Sequence, residues 1–346
     1  MKVVVAIDSF KGCLTSTEAN KAAAEGVRSA CPDAEVVEIP VSDGGEGFLD
    51  ACHAALGGAL VEARVSDPLM RSIVARYLLR DDLAVIEMAQ ASGLMLLRKE
   101  ERNPLVASSY GTGQLVTDAV RRGARHIVVG LGGSATSDAG MGMLDAIHQA
   151  HDIALEEVKF TIATDVRNPL CGENGAAYVF APQKGATPED VVALDERARR
   201  FAEDSARRFG YDRSEVAGAG AAGGLGYAFM QYLNASCKSG IEWLLEIVEF
   251  DCVAKDSDLI ITGEGSADRQ TLMGKLPMGI LQRAGNVPVC LIGGRICDCE
   301  ALLSAGFSKV LCINPDGIAP EEAMRREVTM RNIRNTVRSI FPATAL

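Results

Sequence analysis

A glycine-rich turn between a predicted strand and a predicted helix is the stretch of this chain best suited to binding an anion. Residues 127–129 are β-branched and typical of a buried parallel strand. The small and hydroxylated residues of the turn are Gly130, Gly132, Gly133, Ser134 and Thr136. Asp138 is then placed to cap a helix over residues 138–150. Because backbone N–H groups and the helix dipole favour anions, we expect phosphate or carboxylate binding here, with a tight turn that binds nothing as the alternative.

Other side chains suited to phosphoryl transfer lie at predicted ends of strands or helices. The carboxylates are Asp8, Asp43, Glu46, Asp138, Asp165, Glu264 and Asp268, and the cations are Lys11, Arg71, Lys184 and Lys275. Phosphoryl transfer needs cations or N–H groups around the phosphates, carboxylates for Mg²⁺, and a base near the acceptor hydroxyl. Each of these residues alone could equally cap a helix or lie on the surface, so their common placement is what indicates a site.

Two stretches also match glycine patterns of dinucleotide-binding proteins. Gly130, Gly132 and Ala135 fit GxGxxA, and Gly218, Gly220 and Gly223 fit GxGxxG. A dinucleotide site further needs an acid about 20 residues on, at the end of the next strand. Asp152 is near that distance, but the next predicted strand starts only at Phe160, and the second pattern follows no clear strand. We therefore disfavour an NAD-linked dehydrogenase; a Walker A sequence is also absent, so any kinase is not of the P-loop type.

Strands and helices alternate at both ends of the chain, and this alternation positions the candidate residues. The predicted strands are 3–7, 36–39, 259–262, 289–292 and 310–313, and the predicted helices are 16–30, 270–284 and 299–305. Thr15 and Glu18 have capping-box spacing for the first helix. Such alternation predicts a doubly wound parallel sheet, whose sites lie outside the carboxyl ends of its strands.

The middle of the chain has a different pattern, which indicates a second domain. Short strands at 73–79 and 83–88 have little helix between them, and residues 191–209 predict a charged helix with a solvated face. We predict an α/β fold with one discontinuous domain, residues 1–64 and 287–346, and an inserted α/β domain, residues 65–286.

Composition excludes several classes of protein. The 346 residues are 48% hydrophobic and 23% charged, as in ordinary globular proteins, and the net charge of -11 argues against nonspecific nucleic-acid binding. No apolar run approaches the ~20 residues of a membrane helix, and the opening MKVVVAID does not predict a signal peptide. Ten cysteines without a CxxC pair favour reduced thiols and a cytoplasmic location.

Nine blocks of sequence resemble, in order, those of the bacterial glycerate kinase family (glycerate 2-kinase type). The blocks are DSFKG (8–12), SDGGEG (42–47), EMAQASGL (87–94), YGTG (110–113), GGSATSDAGMG (132–142), DVRNPLCG (165–172), FAPQKGAT (180–187), GAGAAGGLG (218–226) and ITGEG (261–265). They extend from about residue 1 to about residue 315, nearly the whole chain. This resemblance implies a flavodoxin-like domain that carries an insert similar to the restriction-endonuclease fold.

The resemblance also implies a reaction and roles for individual residues. The reaction is transfer of the ATP γ-phosphoryl group to D-glycerate with Mg²⁺, giving 2-phosphoglycerate or 3-phosphoglycerate. The expected catalytic residues are Asp43, Asp138, Asp268 and Lys184, and the expected nucleotide-binding residues are Gly132, Gly133, Ser134, Ala135, Thr136, Gly220, Gly223 and Gly224. The expected substrate-binding residues are Ser9, Lys11, Arg71 and Lys275, and the expected metal ligands are Asp165, Glu264 and Asp268. The partners are these small molecules, with no nucleic acid or membrane, and a homodimer is compatible with the resemblance.

Three departures from the family pattern leave an alternative function open. The segment between residues 147 and 160 is shorter than usual, Ser137 stands where the family has Asn, and Ser266 and Ala267 replace an Arg and a larger aliphatic residue. A catalytically silent small-molecule-binding protein with the kinase fold is therefore the alternative.

Overall fold

The computed structural model describes residues 1–42, 44–45 and 47–341. Asp43, a predicted catalytic residue, and Glu46 therefore lie outside the described residues. The strands within the described part, in chain order, are β1 (Lys2–Ile7), β2 (Glu35–Glu38), β3 (Ala59–Ser66), β4 (Ser72–Arg80), β5 (Leu83–Glu87), β6 (His126–Gly130), β7 (Lys159–Ala163), β8 (Ser236–Lys238), β9 (Leu259–Ala267), β10 (Val289–Ile296) and β11 (Lys309–Cys312).

The α-helices, in chain order, are α1 (Ser16–Ala30), α2 (Phe48–Leu56), α3 (Ala89–Ser92), α4 (Tyr110–Arg121), α5 (Met141–Gln149), α6 (Ala176–Phe180), α7 (Pro188–Phe209), α8 (Ala221–Leu233), α9 (Gly240–Ile247), α10 (Phe250–Lys255), α11 (Leu276–Arg283), α12 (Cys299–Ser304), α13 (Pro320–Ala323) and α14 (Arg326–Ile340). In the described part of the chain, no helix is both long enough and apolar enough to span a membrane.

The chain forms two compact units, and the first is built from both chain ends. Unit 1 contains Met1–Asp43, Asp50–Leu56 and Ile241–Leu346. Its sheet has five parallel strands in the order β11-β10-β9-β1-β2. Counted within the unit, this is the order 2-1-3-4-5 of the flavodoxin-like fold, whose switch point lies between β1 and β9. The predicted α/β fold with a parallel sheet is confirmed.

Unit 1 follows from local sequence signals. Residues 3–7 are fully buried, as expected for a central parallel strand covered on both faces. Helix α1 starts where it was predicted, because the Thr15 hydroxyl accepts from the Glu18 amide at 3.2 Å and the Glu18 carboxylate accepts from the Thr15 amide at 2.9 Å. This capping box fixes the helix immediately after the loop that follows β1.

Strand β9 is longer than expected, and this changes the position of Glu264. The strand was predicted to end at Thr262, with Glu264 in the loop beyond it. In the structure β9 continues to Ala267, because β10 pairs with it as far as Ile296. The helix predicted over residues 270–284 is also shorter: a 3-10 turn (Thr271–Met273) ends at Gly274, and α11 begins only after Lys275.

Unit 2 contains Gly44–Leu49 and Gly57–Gly240 and has a mixed sheet. Its six strands lie in the order β3-β4-β5-β6-β7-β8. The β3–β4 and β4–β5 pairs are antiparallel, and the pairs from β5 to β8 are parallel. The parallel part places the glycine-rich turn at the carboxyl end of β6.

The unit boundaries differ from the predicted ones near Arg64 and Asn286. Arg64 lies inside β3, where it is opposite Val74 of β4, so the first boundary falls before this hairpin. The second boundary falls at Gly240, because β9 pairs with β1 and belongs to the sheet of unit 1. Strand pairing, rather than a change of local pattern, sets both positions: a local hairpin sets the first, and pairing between strands distant in sequence sets the second.

Candidate active site

A cavity of about 640 Å³ lies at the carboxyl ends of the strands of unit 1. Its polar lining includes Asp8, Ser9, Lys11, Glu264, Lys275 and Arg295. Its apolar lining includes Phe10, Ile313, Ile318, Pro320, Ala323 and Met324. Three of the four predicted substrate-binding residues, Ser9, Lys11 and Lys275, are thus brought to one cavity. This is the switch point at which flavodoxin-like folds bind their ligands.

Glu264 is the buried carboxylate of this cavity. It is 9% exposed, and its carboxylate accepts a hydrogen bond from the Thr271 hydroxyl at 2.6 Å. Burial raises the pKa of Glu264 above its ordinary value, and the Asp268 charge adds to this, while the Thr271 hydrogen bond and the charges of Lys275 and Lys11 oppose it. Both lysines therefore lie near enough to stabilise the charged form of Glu264.

Asp268 is linked to the same hydroxyl group. Its backbone N–H donates to Thr271 Oγ1 at 3.0 Å, and its Oδ1 accepts from the Gln270 amide at 2.8 Å. The cap anticipated for a helix near Gln270 is thus a cap on the short 3-10 turn. Only one carboxylate oxygen has this local partner, so the geometry is compatible with a second role for the side chain.

The three predicted metal ligands divide between the two units. Glu264 and Asp268 belong to unit 1, whereas Asp165 belongs to unit 2, where its Oδ1 accepts from the Ser239 hydroxyl at 2.6 Å. Within residues 1–42, 44–45 and 47–341 there is no group of three or more His, Cys, Asp or Glu side chains arranged to hold a metal ion.

Lys184 is buried beneath the glycine-rich turn of unit 2. Its side chain is inaccessible to solvent apart from 2% of its surface, and Nζ donates to Ser134 Oγ at 2.8 Å and to the Thr136 carbonyl at 2.6 Å. Burial lowers the pKa of Lys184 to about 7, and the Asp138 charge partly opposes this shift. Lys184, which was predicted as a catalytic residue, therefore supports the turn through these two hydrogen bonds.

Asp138 does not cap a helix in the way expected. Its Oδ2 accepts from the Ser109 amide and hydroxyl, both at 2.8 Å, and from the Gly142 amide at 3.1 Å. Its Oδ1 accepts from the Gly140 amide at 3.1 Å, and α5 begins only at Met141. These four bonds fix the carboxylate in one orientation, from which its charge acts on Lys184.

The glycines of the two predicted phosphate-binding segments allow backbone to pack against backbone. A Cβ on Gly223 would lie 2.0 Å from the Thr136 carbonyl oxygen, and one on Gly132 would lie 2.2 Å from Gly45 Cα. Cβ atoms on Gly220 and Gly224 would likewise lie 2.3 Å from the Pro169 oxygen and 2.6 Å from Leu170 Cδ1. Gly133 differs, since its φ is +76° and its nearest neighbour is 3.4 Å away. The two segments therefore pack together, and only Gly133 has space on its open side.

Two hydroxyl groups in this region have no partner. Thr136 Oγ1 and Ser137 Oγ are buried and make no hydrogen bond with any residue that the structure describes. Next to them the Ala139 amide donates to the Gly223 carbonyl at 3.0 Å, and Ala139 and Ala222 both have positive φ, 52°. Orphaned hydroxyls and left-handed alanines are costly, and such features concentrate at functional sites.

Arg71 was predicted to bind substrate, but its guanidinium forms ion pairs with carboxylates of unit 2. Its Nε is 2.6 Å from Asp67 Oδ2 and its Nη1 is 2.9 Å from Glu101 Oε1. It belongs to unit 2 and does not line the cavity of unit 1. Two carboxylates of the chain itself thus occupy the guanidinium that was expected to bind a substrate carboxylate.

Sequence reasoning missed three residues that shape these regions. Ser109 holds Asp138, and Arg295 lines the cavity. Arg197 donates to the Ser137 carbonyl at 2.8 Å, although α7 was predicted to have a solvated face. The only available signal was that Ser109 immediately precedes the YGTG block, since neither arginine lies in a recognisable motif.

Replacing Lys184 with methionine should reveal the shifted pKa in the pH dependence of stability. Between about pH 7 and its ordinary pKa of 10.5, the lysine is protonated in the unfolded chain but neutral in the folded one. The unfolded state then binds more protons, so the parent protein should gain stability relative to Lys184→Met as the pH rises, by about 1 kcal/mol per pH unit. Below about pH 7 both states are protonated, and the difference should be constant.

Urea unfolding of both proteins from pH 6 to 9 would measure this difference. Lys99→Met, at an exposed lysine, corrects for the loss of a surface charge. A stability difference between parent and Lys184→Met that does not change over this range would contradict the shifted pKa.

Comparison with known proteins shows a single family over nearly the whole chain. The sequence model of the glycerate kinase family matches residues 3–152 and 147–345. The chain is 38% identical to a glycerate kinase of Bacillus subtilis (strain 168), with 98% of each protein covered. It is 40% identical to a glycerate 2-kinase of Escherichia coli (strain K12), with 86% of each covered. A crystal structure described as a glycerate kinase 2 from Salmonella typhimurium LT2 superimposes with a TM-score of 0.83 at 37% identity, covering 98% of this chain and 97% of that one.

Proposed function

Because this chain belongs to the glycerate kinase family, we propose that it transfers the γ-phosphoryl group of ATP to a hydroxyl of D-glycerate. The observation that carries the proposal is the cavity of unit 1, where Lys11 and Lys275 lie near the buried Glu264. Phosphoryl transfer needs cations to bind phosphate and carboxylates to hold a metal, and this edge of the sheet supplies both.

Mg²⁺ fits the carboxylates present here. Protein sites usually hold Mg²⁺ through one or two carboxylates, with substrate phosphates and water completing the octahedron. Glu264 and Asp268 provide two carboxylates, and the Thr271 hydroxyl links the Glu264 carboxylate to the Asp268 backbone N–H, so a third protein carboxylate is not required. When bound, the ion would neutralise charge on the transferred phosphate.

The glycine-rich region of unit 2 offers a second place for an anionic group. Lys184 Nζ donates hydrogen bonds beneath the turn, and two buried hydroxyls, of Thr136 and Ser137, have no hydrogen-bond partner among the residues that the structure describes. We propose that the cavity of unit 1 holds a reactant of this transfer, and that the glycine-rich region of unit 2 can bind an anionic group. Asp268 would act as a metal ligand or as the base for the acceptor hydroxyl.

We expect the product to be 2-phosphoglycerate, since the relative from Escherichia coli is named glycerate 2-kinase. Incubation of the protein with ATP, Mg²⁺ and D-glycerate should yield ADP and one phosphomonoester. Phosphorus NMR without proton decoupling then identifies the carbon that carries the phosphate. A phosphate on carbon 2 couples to one proton and gives a doublet, whereas a phosphate on carbon 3 couples to two protons and gives a triplet.

Two truncated acceptors provide the matched control for this experiment. D-Lactate keeps only the 2-hydroxyl and 3-hydroxypropionate keeps only the 3-hydroxyl, so only D-lactate should release ADP. A triplet product would assign the reaction to carbon 3. Absence of ADP release with D-glycerate would instead favour a silent binding protein.

A further inference from the structure

The segment between β9 and α11 carries two charged residues, and little packing holds its second half in place. Asp268 lies at its start and Lys275 at its end, with the 3-10 turn Thr271–Met273 between them. Met273 is 84% exposed, and Gly274 has a φ of +94° with nothing within 4 Å of its would-be Cβ. The positions of the two charges therefore depend on some other contact.

The Thr271 side chain provides that contact. Of the three residues in the 3-10 turn only Thr271 is buried, with none of its surface exposed. The Asp268 backbone N–H donates to its hydroxyl oxygen at 3.0 Å. Because a hydroxyl has a single proton, that proton is left for Glu264 Oε1, 2.6 Å away. One hydroxyl group thus connects the segment to the carboxylate of β9.

Glu264 is a firm point of attachment for this hydroxyl. Its backbone is paired with Gly293 of β10 inside the parallel sheet, and its side chain is buried. A hydroxyl that donates to a carboxylate forms one of the shorter and stronger hydrogen bonds of proteins. The length of this bond consequently fixes how far Asp268 lies from Glu264.

We infer that Thr271 is a positioning residue, whose hydroxyl holds the segment that carries Asp268 and Lys275 to Glu264 and so sets the spacing of the two carboxylates. Its importance for phosphoryl transfer rests on the proposed function. Groups that bind a metal ion or a reacting atom must be held closely, because a displacement near 1 Å can reduce the rate by about 10²-fold. Thr271 itself need not touch any reactant to have this effect.

Replacing Thr271 with valine tests this role, because valine keeps the branched shape of threonine and lacks the hydroxyl. Mn²⁺ is the probe, since it prefers the same oxygen ligands as Mg²⁺, and electron paramagnetic resonance measures its binding to the full chain. Thr271→Val should bind Mn²⁺ about 10–100-fold more weakly than the parent, the usual effect of removing a group that orients a metal ligand. Thr271→Ser keeps the hydroxyl and should bind Mn²⁺ almost as the parent does.

Thr117→Val is the matched control for the loss of a buried hydroxyl. The Thr117 hydroxyl is 3% exposed and donates to the Gln114 carbonyl at 2.9 Å within α4 of unit 2. This variant should bind Mn²⁺ as the parent does.

The outcomes separate this inference from the proposed function. A folded Thr271→Val protein with a lower melting temperature but the Mn²⁺ affinity of the parent would overturn the inference, since its hydroxyl would then only stabilise the fold. Weakened Mn²⁺ binding that serine restores would support the inference even if no acceptor is phosphorylated, because the measurement needs no turnover. A parent protein that does not phosphorylate D-glycerate would count against the proposed function alone.

Thr271→Cys covers the case in which Thr271→Val does not fold. A thiol still offers a polar atom to the Asp268 amide, but it is a much weaker donor to Glu264 than a hydroxyl is. Thr271→Cys should bind Mn²⁺ more weakly than Thr271→Ser, and equal affinities of these two variants would overturn the inference.

Discussion

Asp268→Asn should fold normally and lose turnover by about 10²–10⁴-fold, the range expected for loss of general-base assistance. Asparagine keeps the oxygen that accepts from the Gln270 amide at 2.8 Å, so the cap on the 3-10 turn is retained. What the change removes is the negative charge beside Glu264, which either a base or a metal ligand requires. Melting temperature and steady-state kinetics with ATP and D-glycerate measure the two effects separately.

A Mg²⁺ titration of the variant distinguishes the two roles of Asp268. Excess Mg²⁺ should restore part of the turnover if the carboxylate binds the ion, and none if it accepts a proton. Asp212→Asn is the matched control, because Asp212 Oδ1 also accepts from the amide two residues later at 2.8 Å. Turnover of Asp268→Asn within about threefold of the parent, far below the general-base range, would return the residue to a capping role.

Gly223→Ala should reduce turnover by at least about 10²-fold, because displacements near 1 Å around a reacting group can have effects of that size. The added Cβ would lie 2.0 Å from the Thr136 carbonyl oxygen, so the two glycine segments must separate. That carbonyl is also the acceptor of the Lys184 ammonium at 2.6 Å, and moving it disturbs the support of the turn. The loss should appear in kinetics at a temperature where circular dichroism shows a folded protein.

Gly210→Ala controls for the backbone strain of the substitution. Gly210 has a φ of +77°, similar to the +68° of Gly223, but nothing lies within 4 Å of its would-be Cβ. This variant should lose about 1 kcal/mol of stability through left-handed strain and keep its activity. Equal turnover in the two variants would show that close packing against Thr136 is irrelevant to the reaction.

The sequence predicted most accurately those features of the fold that contacts between nearby residues determine. Thr15 and Glu18 are three residues apart, and they set the start of α1 where it was expected. Buried apolar runs predicted the strands of the parallel sheet, and with them the edge at which Lys11 lies. For β9, however, the pattern of the strand itself did not show that pairing with β10 extends it past Glu264.

The remaining features depend on partners distant in sequence. Asp138 is fixed by Ser109, 29 residues earlier, and Lys184 bonds to Ser134, 50 residues earlier. Arg71 pairs with Glu101, 30 residues away, which no local motif indicated. A single sequence identifies such residues by type, but it does not show which carboxylate or carbonyl each will meet.

The position of β1 in the sheet of unit 1 has a consequence for how the protein is made. Strand β1 leaves the ribosome before unit 2 does, yet one of its two neighbours in the sheet, β9, is separated from it by all of unit 2. Residues 57–240 are synthesised without a break, so most of unit 2 can fold as it emerges. Until β9 has been synthesised, the edge of the apolar strand β1 that pairs with β9 remains uncovered. Such a delayed long-range pairing slows folding and exposes the segment that contains β1 to aggregation while unit 2 is being synthesised.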